Sequence, residues 1–495
     1  MKLKIIGRIR NFLIATMEAL KKPRTNTQII QQNVLLRFKE LNKFLINHAQ
    51  GIFIEVSNYY CELMCGIYYN IFKLYISEVA KLYEEKIRKN ESIIVEDSDS
   101  VSKKQSIFDL SARGNILNNI NKEPIIYHIS LEKKLTHTLE EIFRSQNKLL
   151  VDATINEYYF VLEFFNLKQQ QCSYIFNAIF KKSVQHFLDS LQNTVNYSFD
   201  PLGLLLIIKI NEYFKDFMVK NEVPILDFYF DKVDFVLWPK IVQILDNHIV
   251  IIKQGTSKGI KPTSTSVIPI TKRYVELASS VYKIIQEKPH VMLSMRMTQM
   301  KSAIFELLKS MGDKFSSDKL KVLFLLNNLD YICSSFKDLR QEKLTDLISL
   351  QKEYNQLAPT YINSLVLQEF KSLLDVVYRY ATETGSEGSM KLVEEEKIKG
   401  VNKTYLESVG NDFALSWAKK VDGLKQIIYV GITSRSAAKQ LFGSLLKDVM
   451  NKYLAFGEIV RIGHQDYFKE ITTQHVIVDL NARYKSLRSE SESAL

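Results

Sequence analysis

Proline and glycine are scarce in this chain: nine and seventeen among 495 residues. A sandwich or barrel of short strands would need a turn about every ten residues, each with its own breaker. That supply is missing, so long helices are the default. Cysteine is scarce too. Cys61, Cys65, Cys172 and Cys333 form no C-x-x-C pair and no Cys/His set at zinc spacing. Cys61 and Cys65 stand one helical turn apart and read as small buried hydrophobes, a usage that fits a reducing cytosol. Long apolar runs are absent as well. The longest stretch free of Asp, Glu, Lys and Arg is YNQLAPTYINSLVLQ at 354–368, which holds a proline, two Asn and two Gln. A bilayer helix needs about 20 mostly apolar residues, so no span is expected. Catalytic signatures are missing: no H-E-x-x-H, no G-x-S-x-G and no dinucleotide-binding glycine pattern. GTSKGIKPT at 255–263 fails as a phosphate loop, because its second glycine comes one position early and Pro262 stands where a helix should open. It reads as a solvated loop. No catalytic, cofactor-binding or metal-binding residue is expected.

What is present is a helix-forming composition, 46% hydrophobic and 24% charged, ordinary for a folded protein. The net charge of +11 is uneven. Residues 1–43 hold ten Lys/Arg against two acids, or +8, which leaves +3 for the rest. One end is basic, and the chain is not a uniformly basic nucleic-acid binder. Apolar residues at 6, 9, 13, 17 and 20 keep amphipathic spacing. Beside them Lys2, Lys4, Arg8 and Arg10 suit a solvated face, contact with anionic membrane or an acidic partner, or a mitochondrial presequence. Aromatics interleaved with charge recur at helical spacing and mark core rather than base stacking, so no nucleic acid is expected.

Further helices are expected at about 26–45 and 52–88, the second with Ile67, Ile71, Leu74, Val79 and Leu82 inward. Periodicity resumes at about 131 and runs to about 253, with a helix start at Asp200-Pro201 and Pro239 inside a helical pattern, where it should kink the helix. Composition shifts divide the chain into N-terminal helices at 1–90, a polar loop at 91–122, a first bundle at 123–253, a linker at 254–272, a second bundle at 273–381, a loop at 382–400, a third bundle at 401–487 and a frayed tail at 488–495. The expected fold is all-α, an elongated rod of successive helical bundles.

The stretch EIFRSQNKLL at 141–150 poses a question, because three polar residues, Arg144, Ser145 and Gln146, interrupt it. A 3.6-residue period puts Leu139, Phe143, Gln146, Leu150, Ala153, Glu157, Phe160 and Phe164 on one inner stripe. Gln146 and Glu157 are polar on that stripe and need partners if buried, since an unpaired buried polar group costs about 1–3 kcal/mol or more. Arg144 lies just off it, spaced for a surface ion pair with Glu140 or Glu141.

These residues also carry a resemblance. EEIFRSQNKLLVDATINEYYFVLEFF at 140–165 resembles the central signature of the vacuolar protein sorting-associated protein fifty-two family; Phe143, Arg144, Ser145, Gln146, Asp152, Glu157, Tyr158, Phe164 and Phe165 fit it. KKPRTNTQIIQQNVLLRF (21–38), IFDLSARGNIL (107–117), VPILDFYFDKVDFVLWPKIVQIL (223–245, with Trp238 and Pro239), TKRYVELASS (271–280), LFLLNNLDY (323–331) and NDFALSWAKKV (411–421) continue it in order. The family's long N-terminal coiled-coil region is expected to be missing. The resemblance implies a non-catalytic subunit of a multisubunit vesicle-tethering complex, of the Golgi-associated retrograde protein (GARP) type or its endosomal counterpart (EARP), with the helical-rod (CATCHR-type) architecture of tethering subunits. It would serve retrograde transport from endosomes to the trans-Golgi network and endosomal recycling. Implied partners are the other three subunits, a Golgi Rab GTPase in its GTP state and SNARE proteins, with peripheral membrane contact on the cytosolic face of trans-Golgi network and endosome membranes. The rival is a basic amphipathic membrane-associated scaffold unrelated to tethering, mitochondrial if the opening helix is a presequence.

Overall fold

A computed structural model describes residues 2–22, 26–88, 91, 93, 107–167, 169–223, 225–258, 260–285, 290–338, 345–384, 389–392, 402–463 and 474–492. The amphipathic start becomes α1 (Lys2–Glu18), which buries Ile6, Leu13 and Met17. The expected helix 26–45 is broken into α2 (Thr27–Asn33), a 3-10 turn (Leu35–Phe38) and α3 (Lys39–His48). Asn26 opens α2 by accepting from the Ile29 N–H.

Helix α4 (Gln50–Ala80) stops short of the expected 88. Its next residues instead pair backbone to backbone with 137: His137 N–H donates to Leu82 (2.8 Å) and Glu84 N–H to His137 (2.9 Å). The inward face matches the expected one only in part, with Val79 and Leu82 buried and Ile67 half-buried. Ile71 and Leu74 are exposed, and Tyr60, Met64, Tyr68, Phe72 and Ile76 are buried. Rings decide the rotation, because Tyr68 stacks on Phe180 and Phe72 meets Phe187 edge-on, both from α7 (Gln169–Tyr197).

After a 3-10 segment at Ser111–Asn119 come α5 (Tyr127–Glu132) and α6 (Leu139–Phe164). Helix α8 (Pro201–Lys220) starts as its sequence requires, with Asp200 Oδ1 accepting from the N–H groups of Leu202 (3.1 Å) and Gly203 (3.0 Å). Helix α9 (Asp227–Lys258) is continuous through Pro239, and it extends into the stretch expected to be a linker. The remaining helices are α10 (Pro269–Ile285), α11 (Val291–Gly312), α12 (Asp318–Asp338), α13 (Thr345–Glu369), α14 (Lys371–Tyr380), α15 (Lys403–Gly431), α16 (Arg435–Gly463) and α17 (Gln474–Glu492).

Two departures sit near the C-terminus. Part of the loop expected at 382–400 is a two-stranded antiparallel hairpin, β1 (Ala381–Thr384) and β2 (Ser389–Leu392). The tail expected to fray from 488 is helical to Glu492. Residues 94–106, 385–388, 393–400 and 493–495, on which parts of the loop and tail expectations fall, lie outside the described residues.

The chain divides into two compact units. One comprises Met1–Ser92, Asp97–His248 and Glu276–Arg296; the other comprises Ile93–Glu96, Ile249–Val275 and Met297–Leu495. These divisions at 248 and 275 fall inside α9 and α10 rather than in a breaker zone, because composition marks where helices can stop and says nothing of which neighbours they pack against. In the second unit Asn327 and Asn328 of α12 tie separate segments together. Asn327 donates to the carbonyls of Thr265 (2.8 Å) and Gly431 (2.9 Å) and accepts from the Thr433 N–H (2.9 Å). Asn328 Oδ1 accepts from Thr271 Oγ1 (2.7 Å) and from the Ile268 N–H (3.2 Å). Lys452, also buried, reaches Asp448 and Asn363, each at 2.8 Å.

Candidate functional site

The first unit gathers most of the residues singled out by sequence. Phe143 is buried as the stripe requires. Arg144 is not a surface ion-pair residue. It is 6% exposed, and its guanidinium donates to the backbone carbonyls of Ile120 (3.4 Å), Lys122 and Glu123 (3.2 Å). Burial lowers its pKa from the ordinary arginine value. Ser145 completes the grip on the same loop. The Ile125 N–H donates to Ser145 Oγ (2.6 Å), and Tyr75 O–H donates to the Ile125 carbonyl (3.0 Å). Tyr75 thereby uses its one proton, so Ser145 donates to Tyr75 across 2.5 Å and closes a ring. Gln146 is half-buried, outside the packed core. Arg144 and Ser145 thus clamp residues 120–125, which lead from the 3-10 segment into α5.

Glu157 is fully buried and sits in a knot of three helices. Tyr60 and Tyr68 of α4 donate to its two oxygens (2.5 and 2.8 Å), and Gln31 of α2 donates to Oε2 (2.8 Å) and to Tyr60 (2.7 Å). Burial raises the Glu157 pKa above its ordinary value, against the opposing pull of these hydrogen bonds. Tyr158 is buried beside Phe176. Trp238 is half-buried with its indole stacked on His290, ring centroids 3.7 Å apart, and Pro239 is exposed.

Sequence reasoning missed a third cluster, although the Arg-Gly loop that supplies it carries part of the resemblance. Arg113, largely buried, donates to Glu140 (2.8 Å) and to Asp200 (2.6 Å). Asp200 therefore caps α8 with one oxygen and holds Arg113 with the other. A Cβ on Gly203 would lie 2.9 Å from both Arg113 Nη2 and Asp200 Oδ2, so any larger residue would force the ends of these side chains to shift. An open cleft of about 410 Å³ lies beside it, lined in part by Arg113, Lys122, Arg144, His137 and Glu141.

At the basic end the four cations separate. Lys2, Lys4 and Arg8 are exposed, whereas Arg10 is held by Glu55 of α4. Leu3 and Ile5 are exposed beside them. Cys61, Cys65 and Cys333 are buried free thiols, with burial pushing Cys61 and Cys333 up to about 12. Among the described residues no three of His, Cys, Asp and Glu converge as metal ligands would. Most of the polar groups in these clusters bond to one another or to backbone, Glu140 Oε2 being a buried exception. Their chemistry is cross-linking of segments.

A helical bundle protein whose buried polar residues cross-link its segments is the class these features define. The model for the C-terminal part of Vps52 matches residues 62–362, and that for the Vps52/Sac2 family coiled coil matches residues 1–45. The chain belongs to the Vps52 family. Among its relatives, vacuolar protein sorting-associated protein 52 A of Arabidopsis thaliana is 27% identical over 438 residues, covering 85% of this chain and 61% of that protein. The Homo sapiens homologue of vacuolar protein sorting-associated protein 52 is 24% identical over 471 residues, covering 93% and 64%. The chain thus spans about three fifths of the length of these relatives. The coiled-coil match corrects one expectation, since a portion of that region is present in residues 1–45. A solved structure of the exocyst component Exo70p of S. cerevisiae is similar with a TM-score of 0.43 and 12% identity, over 97% of this chain and 100% of that one.

Proposed function

We propose that this chain is a non-catalytic subunit of a multisubunit vesicle-tethering complex of the GARP or EARP type, acting in retrograde transport from endosomes to the trans-Golgi network and in endosomal recycling. The observation that carries this reading is the family match over residues 62–362, joined by the coiled-coil match over 1–45. The polar clusters are consistent with a scaffold, since they rigidify helices and leave side surfaces for partners. The partners in this reading are the other three subunits, a GTP-bound Golgi Rab GTPase and SNARE proteins. Contact with the trans-Golgi network and endosomal membranes is peripheral, and exposed Lys2, Lys4 and Arg8 beside Leu3 and Ile5 support it on an anionic leaflet.

Affinity capture of the tagged chain from cells tests the reading. Recovery of three co-purifying subunits is expected, with perinuclear puncta by fluorescence microscopy. Capture without any of them, or labelling of the mitochondrial matrix, overturns it.

A further inference from the structure

Residues 1–43 carry ten basic side chains and two acids, and both acids are spent locally, Glu18 on Lys21 (2.8 Å) and Glu40 on Lys43 (3.6 Å). The carboxylates that neighbouring helices bring to these elements are spent as well. Glu55 of α4 holds Arg10, and Glu163 of α6 holds Lys39 at 2.9 Å. Glu62 of α4 is exposed, but it follows Tyr59, which meets Lys21 past the C-terminal end of α1. Four cations, Lys2, Lys4, Arg8 and Arg37, stay exposed and enter no ion pair among the described residues. At about 100° per residue, burial of Ile6, Leu13 and Met17 turns Lys4, Arg8, Asn11 and Ala15 outward. Ile5 and Phe12 line one edge of that face, 43% and 42% exposed, and Leu3 at the helix start is 86% exposed. Phe12 meets Phe38 edge-on at 4.7 Å, which sets the 3-10 turn carrying Arg37 against the same edge.

We propose that this face of α1, with the 3-10 turn beside it, is a docking surface for an anionic phospholipid bilayer. The inference rests on the peripheral membrane contact of the tethering reading and supplies its site and lipid class. Charge sets the sign of the occupant, because four cations without a counter-ion meet the size of cluster, about 4–8 basic residues, that an anionic leaflet attracts. The apolar edge selects a bilayer among anions. Leu3 and Ile5 alternate with Lys2 and Lys4 in sequence, so their side chains reach the acyl boundary while the ammonium groups stay among the headgroups. Nucleic acid would need rings for base stacking, and Phe12 is committed to Phe38. An acidic protein would need carboxylates spaced to match cations on two separate elements, whereas lipids diffuse sideways to meet each one. The main apolar stripe of α1 stays in the core, so the contact is shallow and salt should release it.

Flotation of the purified full chain with vesicles tests it, phosphatidylcholine alone against equal parts of phosphatidylcholine and phosphatidylserine. Binding to the anionic vesicles is expected, and it should fall as salt rises. Lys4→Ala with Arg8→Ala should weaken it about 30-fold, roughly fivefold for each cation. Leu3→Ser with Ile5→Ser should weaken it several-fold. Because these four side chains are exposed, circular dichroism of both variants should match the parent. Lys181→Ala with Lys182→Ala makes the same charge change at exposed positions of α7 and should leave binding unaltered. No binding to the anionic vesicles, equal binding to neutral ones, or an equal loss from the α7 pair overturns the proposal. So does binding indifferent to the Leu3 and Ile5 changes, since a surface that reads charge alone suits an acidic protein as well. The assay contains no other subunit, so its failure leaves the complex reading standing, and capture without subunits leaves the docking surface standing.

Discussion

Glu157 supports a pH experiment whose sign follows from its surroundings. The unfolded chain releases this proton near the ordinary value of 4.5, and the folded carboxyl holds it to higher pH because burial raises its pKa. Between those two values the native state binds more protons, so the contribution of Glu157 to stability falls as pH rises. That contribution is complete below 4.5 and lost above the folded value, each tenfold gain in proton affinity on folding being worth about 1.4 kcal/mol. Glu157→Gln keeps the volume and removes the titration. The difference in unfolding free energy, parent minus Gln variant, should therefore be largest in acid and shrink towards neutrality. Glu157→Leu is harsher. It strands three buried donors, on Tyr60, Tyr68 and Gln31, at about 1–3 kcal/mol each, against about 1.5–3 kcal/mol from burying leucine. A net loss of about 4 kcal/mol is expected. Trp417→Phe leaves Trp238 as the one remaining indole of two, in the same unit as Glu157, so urea unfolding followed by its fluorescence reports on that unit. A parent-minus-Gln difference that stays flat from pH 4.5 to neutrality refutes the reasoning, as does a Leu variant of undiminished stability.

His248 should act in the opposite direction. Burial pushes its pKa down from 6.5 to about 4, so its stabilisation is present above 6.5 and lost as pH falls through 4, about 3 kcal/mol in all; His248→Leu should remove that acid sensitivity in urea melts at pH 4.5 and 6.5. Gly203→Ala should cost about 1 kcal/mol by shifting Arg113 against its two carboxylates, measured the same way. Ser145→Ala should speed hydrogen exchange at the Ile125 amide several-fold while leaving exchange in the middle of α6 unchanged, since about 1 kcal/mol of local hydrogen bonding is lost. Phe143→Ala should lower stability by about 3–5 kcal/mol, and a thermal melt near that of the parent would place the ring outside the core.

The helical class was legible, apart from the hairpin at 381–392, because period and breaker scarcity are local properties. The polar contacts were not, because their partners are distant in sequence. A 3.6-residue stripe could say that Arg144 lies off the apolar face, but not that residues 120–123 fold over that side and bury it. The same limit hid the rotation of α4, which the rings of α7 decide.

The motif stretches show what the locality of the pattern conceals. Gln31 binds Glu157, Arg113 binds Glu140 and Asp200, and Tyr229 donates to Asn147. Ser280 accepts from the Leu110 N–H and donates to the Phe108 carbonyl, while Asn327 and Asn328 gather 265–271 and 431–433. Each polar residue comes from one of the stretches that resembled the family, and each ends on a segment far away in the chain. An apolar contact tolerates exchange among similar volumes, but a buried hydrogen bond demands particular atoms at both ends. Several of the spellings that looked like motifs are therefore those of cross-links. That places those residues inside the scaffold, while Gln146, Trp238 and Pro239 of the same stretches are half-buried or exposed.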